Sequence, residues 1–95
     1  MRPRPVGFSD AFALVLRRHR IAKKLSRHGL AQVAGLHQTY IGLIERGLSN
    51  PSLDVADAIA RALGVALSKL VVEAEALREK ISADFPKKPP PAINR

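Results

Sequence analysis

The chain has 95 residues, of which 46% are hydrophobic, no cysteine and a formal net charge of +8. This length and composition suit one small globular domain with no room for a second, and the lack of cysteine excludes disulfides and thiolate metal sites. No apolar run approaches the roughly 20 residues of a membrane crossing, and the N-terminus lacks the apolar core of a secretory signal, so we expect a cytoplasmic protein without a membrane partner.

Most of the excess positive charge lies near the N-terminus. Residues 1–28 contain eight of the sixteen lysines and arginines and only one acidic residue, Asp10, whereas the charges of residues 29–95 nearly cancel. Residues 1–8, where prolines alternate with arginines, are predicted to form a flexible basic arm. Concentrated positive charge attracts a polyanion, although by itself it is equally consistent with a solvated face that aids solubility.

A first helix is predicted to begin at Ser9 or Asp10, either of which can cap it, and to end near Lys24. The apolar positions that share one face of this helix are Phe12, Val15 and Leu16.

The segment 26–46 has the pattern of two short amphipathic helices joined by a tight turn. Apolar or small residues recur at helical spacing, at Leu30, Ala31, Ala34, Leu36, Ile41 and Ile44. Gly35 can adopt the positive φ that ends the first helix, and Ala31 is small enough to let the second helix cross closely. The pattern predicts a helix-turn-helix with helices at about 26–34 and 38–46.

A fourth helix is predicted from Leu53 to Leu63, after the turn 49–52, with Gly64 ending it. A fifth helix should begin near Ala66 and continue as an amphipathic extension from about residue 70. We predict that its outer part forms a dimer interface through Leu70, Ala74, Leu77 and Ile81. The alternative is that this part folds back as an added layer on one monomer.

The last segment, residues 83–95, is rich in proline and lysine and is predicted to be a disordered tail. Residues 9–82 then form the single domain.

Several separated blocks of this sequence occur together in one known family. The blocks are Leu25-Ser26, Leu30-Ala31, Gly35, Ile41, Ile44-Glu45-Arg46-Gly47, Pro51-Ser52-Leu53, Ala60 and Ala62-Leu63-Gly64-Val65. In this order they resemble the lambda-repressor/Cro-like (xenobiotic-response-element type) helix-turn-helix family of transcriptional regulators. The resemblance covers about Phe12 to Leu70. It implies an all-α, five-helix DNA-binding domain, here with an extended C-terminal helix.

The second helix of such a motif enters the major groove of DNA, and its outward side chains read the base edges. With Ile41 and Ile44 facing inward, the predicted base-contacting residues are His37, Gln38, Thr39, Gly42 and Leu43. Gln38 suits adenine and Thr39 can contact a thymine methyl. Leu43 could equally turn toward the core, and Gln38 and Thr39 could be ordinary solvated residues.

Other residues are expected to contact phosphates, which positions a protein on DNA without reading sequence. They are Arg17, Lys23, Lys24, Arg27, Tyr40, Arg46, Ser49 and Asn50. The resemblance implies that Arg27 replaces a phosphate-binding glutamine and that Lys24 occupies a position that is often glycine. It also implies a partly buried ion pair between Arg20 and Glu45.

Neither a metal site nor catalysis is expected, because the three histidines occur without HExxH, CxxC or paired carboxylates. No cofactor is therefore predicted. Two functions remain open. One is a sequence-specific regulator that binds a double-stranded DNA operator as a homodimer. The other is an antitoxin or adaptor module that binds a protein partner such as a toxin, with DNA binding secondary.

Overall fold

The computed structural model describes residues 7–83, and within them it contains five α-helices and no strand. The helices are α1 (Phe8–Ala22), α2 (Arg27–Ala34), α3 (Gln38–Glu45), α4 (Leu53–Leu63) and α5 (Leu67–Ala83). The predicted all-α, five-helix fold is confirmed, and the bounds of α2, α3 and α4 agree with the prediction to within one residue. No helix in the described range is long and apolar enough to cross a membrane.

All five helices contribute to one hydrophobic core. Its largest fully buried side chains are Val15, Leu16, Leu30, Ile41, Ile44, Ile59, Leu63 and Leu70. α1 packs against α5 and α3, while α2 packs against α3 and α4. Each fully buried aliphatic side chain of this kind contributes about 1.5–3 kcal/mol to stability. The helix-turn-helix pair is therefore held by the same core that holds the rest of the domain.

The start of α1 differs from the prediction, because neither Ser9 nor Asp10 caps the helix. Gly7 is the N-cap, and its backbone N–H donates to Oδ2 of Asp10 over 3.1 Å. The ring of Phe8 stacks on Phe12 at a centroid distance of 6.0 Å and lies 5.9 Å from the guanidinium carbon of Arg78. This packing extends the helix, so Gly7 and Phe8 do not belong to a flexible arm. Residues 1–6 of the predicted arm lie outside the described residues.

The predicted dimer interface on α5 is also corrected at two positions. Leu70 and Ala74 are fully buried inside one chain, where the inner stripe of α5 lies in the core against α1. They leave no surface for a second subunit. Leu77 is partly buried against the core and Ile81 is half-buried, so both retain some accessible surface. α5 ends at Ala83, and the predicted tail beyond it lies outside the described residues.

The turn between α1 and α2 contains a residue with unusual backbone geometry. Lys24 has a φ of 59°, the left-handed region that side chains with a Cβ adopt at a cost. Its backbone N–H donates to the carbonyl of Ile21 over 2.9 Å, and the N–H of Leu25 donates to the carbonyl of Arg20 over 3.1 Å. These bonds close α1 and turn the chain toward α2, which explains why glycine would suit position 24.

Candidate nucleic-acid interface

The position of α3 is fixed at both its start and its inner face. Gly35 ends α2 with a φ of 75°, and the N–H of Leu36 donates to the carbonyl of Ala31 over 2.8 Å. His37 is the N-cap of α3, and its Nδ1 accepts from the backbone N–H of Thr39 over 3.4 Å. Ile41 and Ile44 are buried on the inner face. The opposite face of α3 is therefore turned to solvent.

The predicted base-contacting residues lie on the outer side of α3 to different degrees. His37, Gln38 and Thr39, at the start of the helix, are all exposed. Gly42 and Leu43, one turn later, are half-buried. The most accessible polar groups are thus an imidazole, an amide and a hydroxyl at the N-terminal end of α3. Together they offer both hydrogen-bond donors and acceptors to a partner.

Gln38 has a partner on the neighbouring helix. Its Oε1 lies 2.9 Å from Nδ1 of His28, which is the second residue of α2. Both side chains belong to exposed residues, and both line a shallow cleft between the two helices, together with Gln32 and His37. The hydrogen bond joins the two helices of the motif at the end where α3 begins.

The predicted phosphate-contacting residues are mostly available at the surface. Six of them are exposed, namely Arg17, Lys23, Lys24, Arg27, Arg46 and Asn50. Tyr40 and Ser49 are half-buried, and Tyr40 packs against the core. The Nε of Arg46 donates to the carbonyl of Gly42 over 3.3 Å, which places this cation beside the end of α3. Positive side chains therefore accompany α1, the turn after it and both helices of the motif.

A buried carboxylate ties α3 to the two preceding helices. The Glu45 side chain is 1% exposed, and its two oxygens accept from Nε and Nη2 of Arg20 over 2.6 and 3.0 Å. Nη1 of Arg20 donates to the carbonyl of Leu25 over 2.8 Å. The Nε of Arg27 also donates to Glu45, over 3.1 Å. The structure thus has the expected pair of Arg20 and Glu45, with a second arginine joined to it.

Sequence reasoning missed the internal bonds of His28 and Arg27. The first joins side chains ten residues apart and the second joins side chains eighteen residues apart. No local spacing rule connects such positions, because the contacts arise only when α2 and α3 pack together. Arg27 keeps about half of its side chain exposed, so its bond to Glu45 leaves part of the guanidinium accessible.

The arrangement suits recognition by hydrogen bonds and charge. Uncharged polar groups occupy the exposed start of α3, and cations lie around them. Among residues 7–83 there is no group of three histidine, cysteine, aspartate or glutamate side chains placed to hold a metal ion.

Comparisons with known proteins agree with this geometry. Residues 16–70 match the model of a family described as Helix-turn-helix. The chain is 39% identical to the control protein C.SmaI of Serratia marcescens over 66 residues, which is 70% of this chain and 79% of that protein.

Two solved structures are also similar. The restriction-modification controller protein C.AhdI of Aeromonas hydrophila has a TM-score of 0.64 and 39% identity, over 65% of this chain and 94% of that one. C.Esp1396I, solved bound to a 25 base pair operator site, has a TM-score of 0.67 over 75% of this chain and 97% of that one. Its identity of 22% supports a shared fold alone.

Proposed function

This chain belongs to the helix-turn-helix family, and from that premise we propose that it is a DNA-binding transcription regulator whose α3 lies in the major groove of double-stranded DNA. A helix fits that groove, and in this architecture the second helix of the motif is the one that enters. We propose no catalytic role, and we place the protein's activity in the cytoplasm, at the bacterial nucleoid.

The observation that carries the proposal is the exposure of Gln38 and Thr39 on a helix whose inner face is fully packed. Had these two side chains been sealed in the core, neither the amide of Gln38 nor the hydroxyl of Thr39 would be free to meet a base. Instead both belong to exposed residues, while Ile41 and Ile44 anchor the helix from behind. The outward face of α3 is thus held in place by the core without being part of it.

Two sets of residues then have different tasks. His37, Gln38, Thr39, Gly42 and Leu43 form the proposed reading surface, where hydrogen bonds and apolar contacts distinguish base pairs. The proposed phosphate contacts are Arg17, Lys23, Lys24, Arg27, Tyr40, Arg46, Ser49 and Asn50. These set affinity and register and make binding sensitive to salt. The exposure of the cations supports this division.

A regulator that represses or activates a gene must bind a defined operator. The two-fold symmetry of a dimer would require an operator with two half-sites of matching symmetry. We propose a homodimer that binds two half-sites, because two copies of one reading surface related by a two-fold axis match an operator with the same symmetry. Such half-sites lie about 34–36 Å apart, one turn of B-form DNA. Leu77 and Ile81 remain our proposed contacts between subunits, because both keep accessible surface on α5. A protein partner such as a toxin is the competing possibility.

Selection of bound duplexes from a random pool, at a salt concentration of about 0.15 M, tests the proposal. We expect enrichment of one sequence with dyad symmetry, because each subunit presents the same reading surface. Parallel rounds without protein provide the control for amplification bias. Retention of duplexes without any enriched sequence would contradict a sequence-specific regulator and favour the protein-interaction module.

A further inference from the structure

The side chain of Arg27 lies across α3 and is held there at its Nε. Its Cδ lies 3.9 Å from the place that a Cβ on Gly42 would occupy. Its Nε donates to Oε1 of Glu45, about one turn further along α3, over 3.1 Å. The Glu45 side chain is 1% exposed, whereas that of Arg27 is 48% exposed. The guanidinium of Arg27 is therefore fixed to a buried group while part of it remains accessible.

The hydrogen bond to Glu45 uses the Nε donor of Arg27 alone. The planar guanidinium carries its remaining donors on Nη1 and Nη2, and among residues 7–83 neither nitrogen has a hydrogen-bond partner. The parallel N–H groups on this free edge match the spacing of phosphate oxygens. Arg27 can therefore bind Glu45 and a phosphate at the same time.

We propose that Glu45 is a positioning residue for DNA binding, which anchors Nε of Arg27 so that Nη1 and Nη2 clamp one phosphate of the DNA backbone. The inference rests on the proposed function, because it deepens the phosphate contact proposed for Arg27. Glu45 acts through Arg27 and makes no contact with DNA of its own. By holding the guanidinium before DNA arrives, it reduces the conformational entropy that is lost when the phosphate binds.

The carboxylate of Glu45 suits this role because it is held from the side of the core. Its Oε2 accepts from Nε of Arg20 over 2.6 Å, and its Oε1 accepts from Nη2 of Arg20 over 3.0 Å. Arg20 is itself buried and also donates to the carbonyl of Leu25. Since two cations face one anion, the cluster keeps an excess of positive charge. A phosphate is therefore attracted to Arg27 despite the nearby carboxylate.

A lysine at position 27 separates anchoring from charge. Its ammonium is a compact charge at the end of a flexible stem, so it can pair with Glu45 or reach the phosphate, but it cannot hold both in a fixed geometry. If Arg27 supplied only positive charge, lysine would replace it without loss. If Arg27 had to leave Glu45 in order to bind DNA, its Nε–H would lose this partner in the complex.

The first measurement is the Kd for the selected duplex and for a scrambled duplex. We expect Arg27→Lys to weaken binding to both by roughly five- to tenfold, because charge-assisted hydrogen bonds to a phosphate are lost on every sequence alike. Arg17→Lys is the matched control, since Arg17 is exposed and has no carboxylate partner among residues 7–83. It should change either Kd by less than about twofold. Circular dichroism checks that both variants are folded at the assay temperature.

The second measurement observes the anchor itself. In proton–nitrogen correlation spectra, the Nε–H signal of Arg27 is identified by its loss in Arg27→Lys. We expect this signal in the free protein, and we expect it to stay protected from exchange with water in the DNA complex. Signals of the Nη groups should appear beside it when DNA binds. A role of Glu45 in stability alone would leave the Nη groups unprotected.

Several results would overturn the inference while leaving the proposed function intact. These are unchanged affinities in Arg27→Lys, an equal loss in Arg17→Lys, and an Nε–H of Arg27 that exchanges freely with water in the complex. A loss confined to the selected duplex would also overturn it, because a phosphate contact contributes on both duplexes. Failure of the wild-type protein to enrich any sequence would instead refute the proposed function, and the Kd for scrambled DNA would still test the clamp.

Discussion

At the scale of single residues, Glu45 shows how the reading helix is tied to the rest of the domain. Its carboxylate is almost completely buried and accepts hydrogen bonds from two arginines on two other segments. Removing one partner of a buried pair leaves an uncompensated charge, which costs more than the pair itself contributes. Arg20 is the critical partner, because its side chain is only 10% exposed and it also donates to the Leu25 carbonyl.

We therefore expect Arg20→Ala to reduce the free energy of unfolding by about 3–5 kcal/mol in urea denaturation. Arg27→Ala should reduce it by less, about 1 kcal/mol, because that side chain is half exposed and one bond is lost. Arg18→Ala, at an exposed position on the same helix as Arg20, is the matched control and should be nearly neutral. Equal stabilities of the Arg20→Ala and Arg18→Ala proteins would refute the structural role of the buried pair.

At the scale of elements, the turn between α1 and α2 combines backbone strain with a proposed function. Lys24 adopts a left-handed conformation that glycine would adopt without a steric cost. A lysine at this position is therefore retained at some expense to stability. Its exposed side chain belongs to the proposed phosphate contacts, which offers a reason for the exception.

The substitution Lys24→Gly should separate these two effects. We expect the free energy of unfolding to increase by up to about 1 kcal/mol, because the strain of the left-handed conformation is relieved. DNA binding should weaken on all sequences alike, with the slope of log K against log salt reduced by about 1. Lys23→Gly is the control for the stability effect alone, since Lys23 has a φ of −86° and gains nothing from glycine. For DNA binding the control is Ser68→Ala, which changes an exposed hydroxyl on α5. A stabilised Lys24→Gly protein with unchanged DNA affinity would remove Lys24 from the phosphate contacts.

The elements also show how much of the fold could be predicted from the sequence. α2 and α4 were predictable because local signals mark both ends of each helix. Ser26 and Ser52 accept from backbone N–H groups at the starts, and Gly35 and Gly64 end the helices. The start of α1 was predicted too late, because Asp10 was interpreted as the N-cap, whereas it is the third residue of the helix and its side chain accepts from the N–H of Gly7. The packing of Phe8 on Phe12 accompanies this earlier start.

The contacts between helices could not be predicted from the sequence, because they depend on how the helices pack. The apolar spacing of α5 predicted a helix with one apolar stripe, but it did not say what that stripe would contact. α1 lies along it, so Leu70 and Ala74 became core residues of one chain. For the candidate site, the outward face of α3 followed from helical spacing, whereas the bond from His28 to Gln38 required α2 and α3 to be assembled.

At the scale of the whole molecule, we propose that charged and uncharged side chains contribute differently to DNA recognition. The excess positive charge lies in the first 28 residues, and exposed cations on α1 and in the turn after it accompany the uncharged reading surface of α3. Phosphate contacts contribute to the affinity for every DNA sequence alike, whereas base contacts contribute only on sequences that present the matching base edges. We propose that base contacts and phosphate contacts are made by different side chains, so either set can be removed while the other remains.

The most direct test is the ratio of Kd values for the selected duplex and a scrambled duplex, measured for the Gln38→Ala/Thr39→Ala double variant. Ser68→Ala, which changes an exposed hydroxyl on α5, is the control. We predict that the preference of the double variant for the selected duplex over the scrambled one falls at least about tenfold. Its affinity for scrambled DNA should stay within about twofold of the wild type. An unchanged ratio, with the wild type and the double variant equally selective, would contradict the claim that α3 reads the bases.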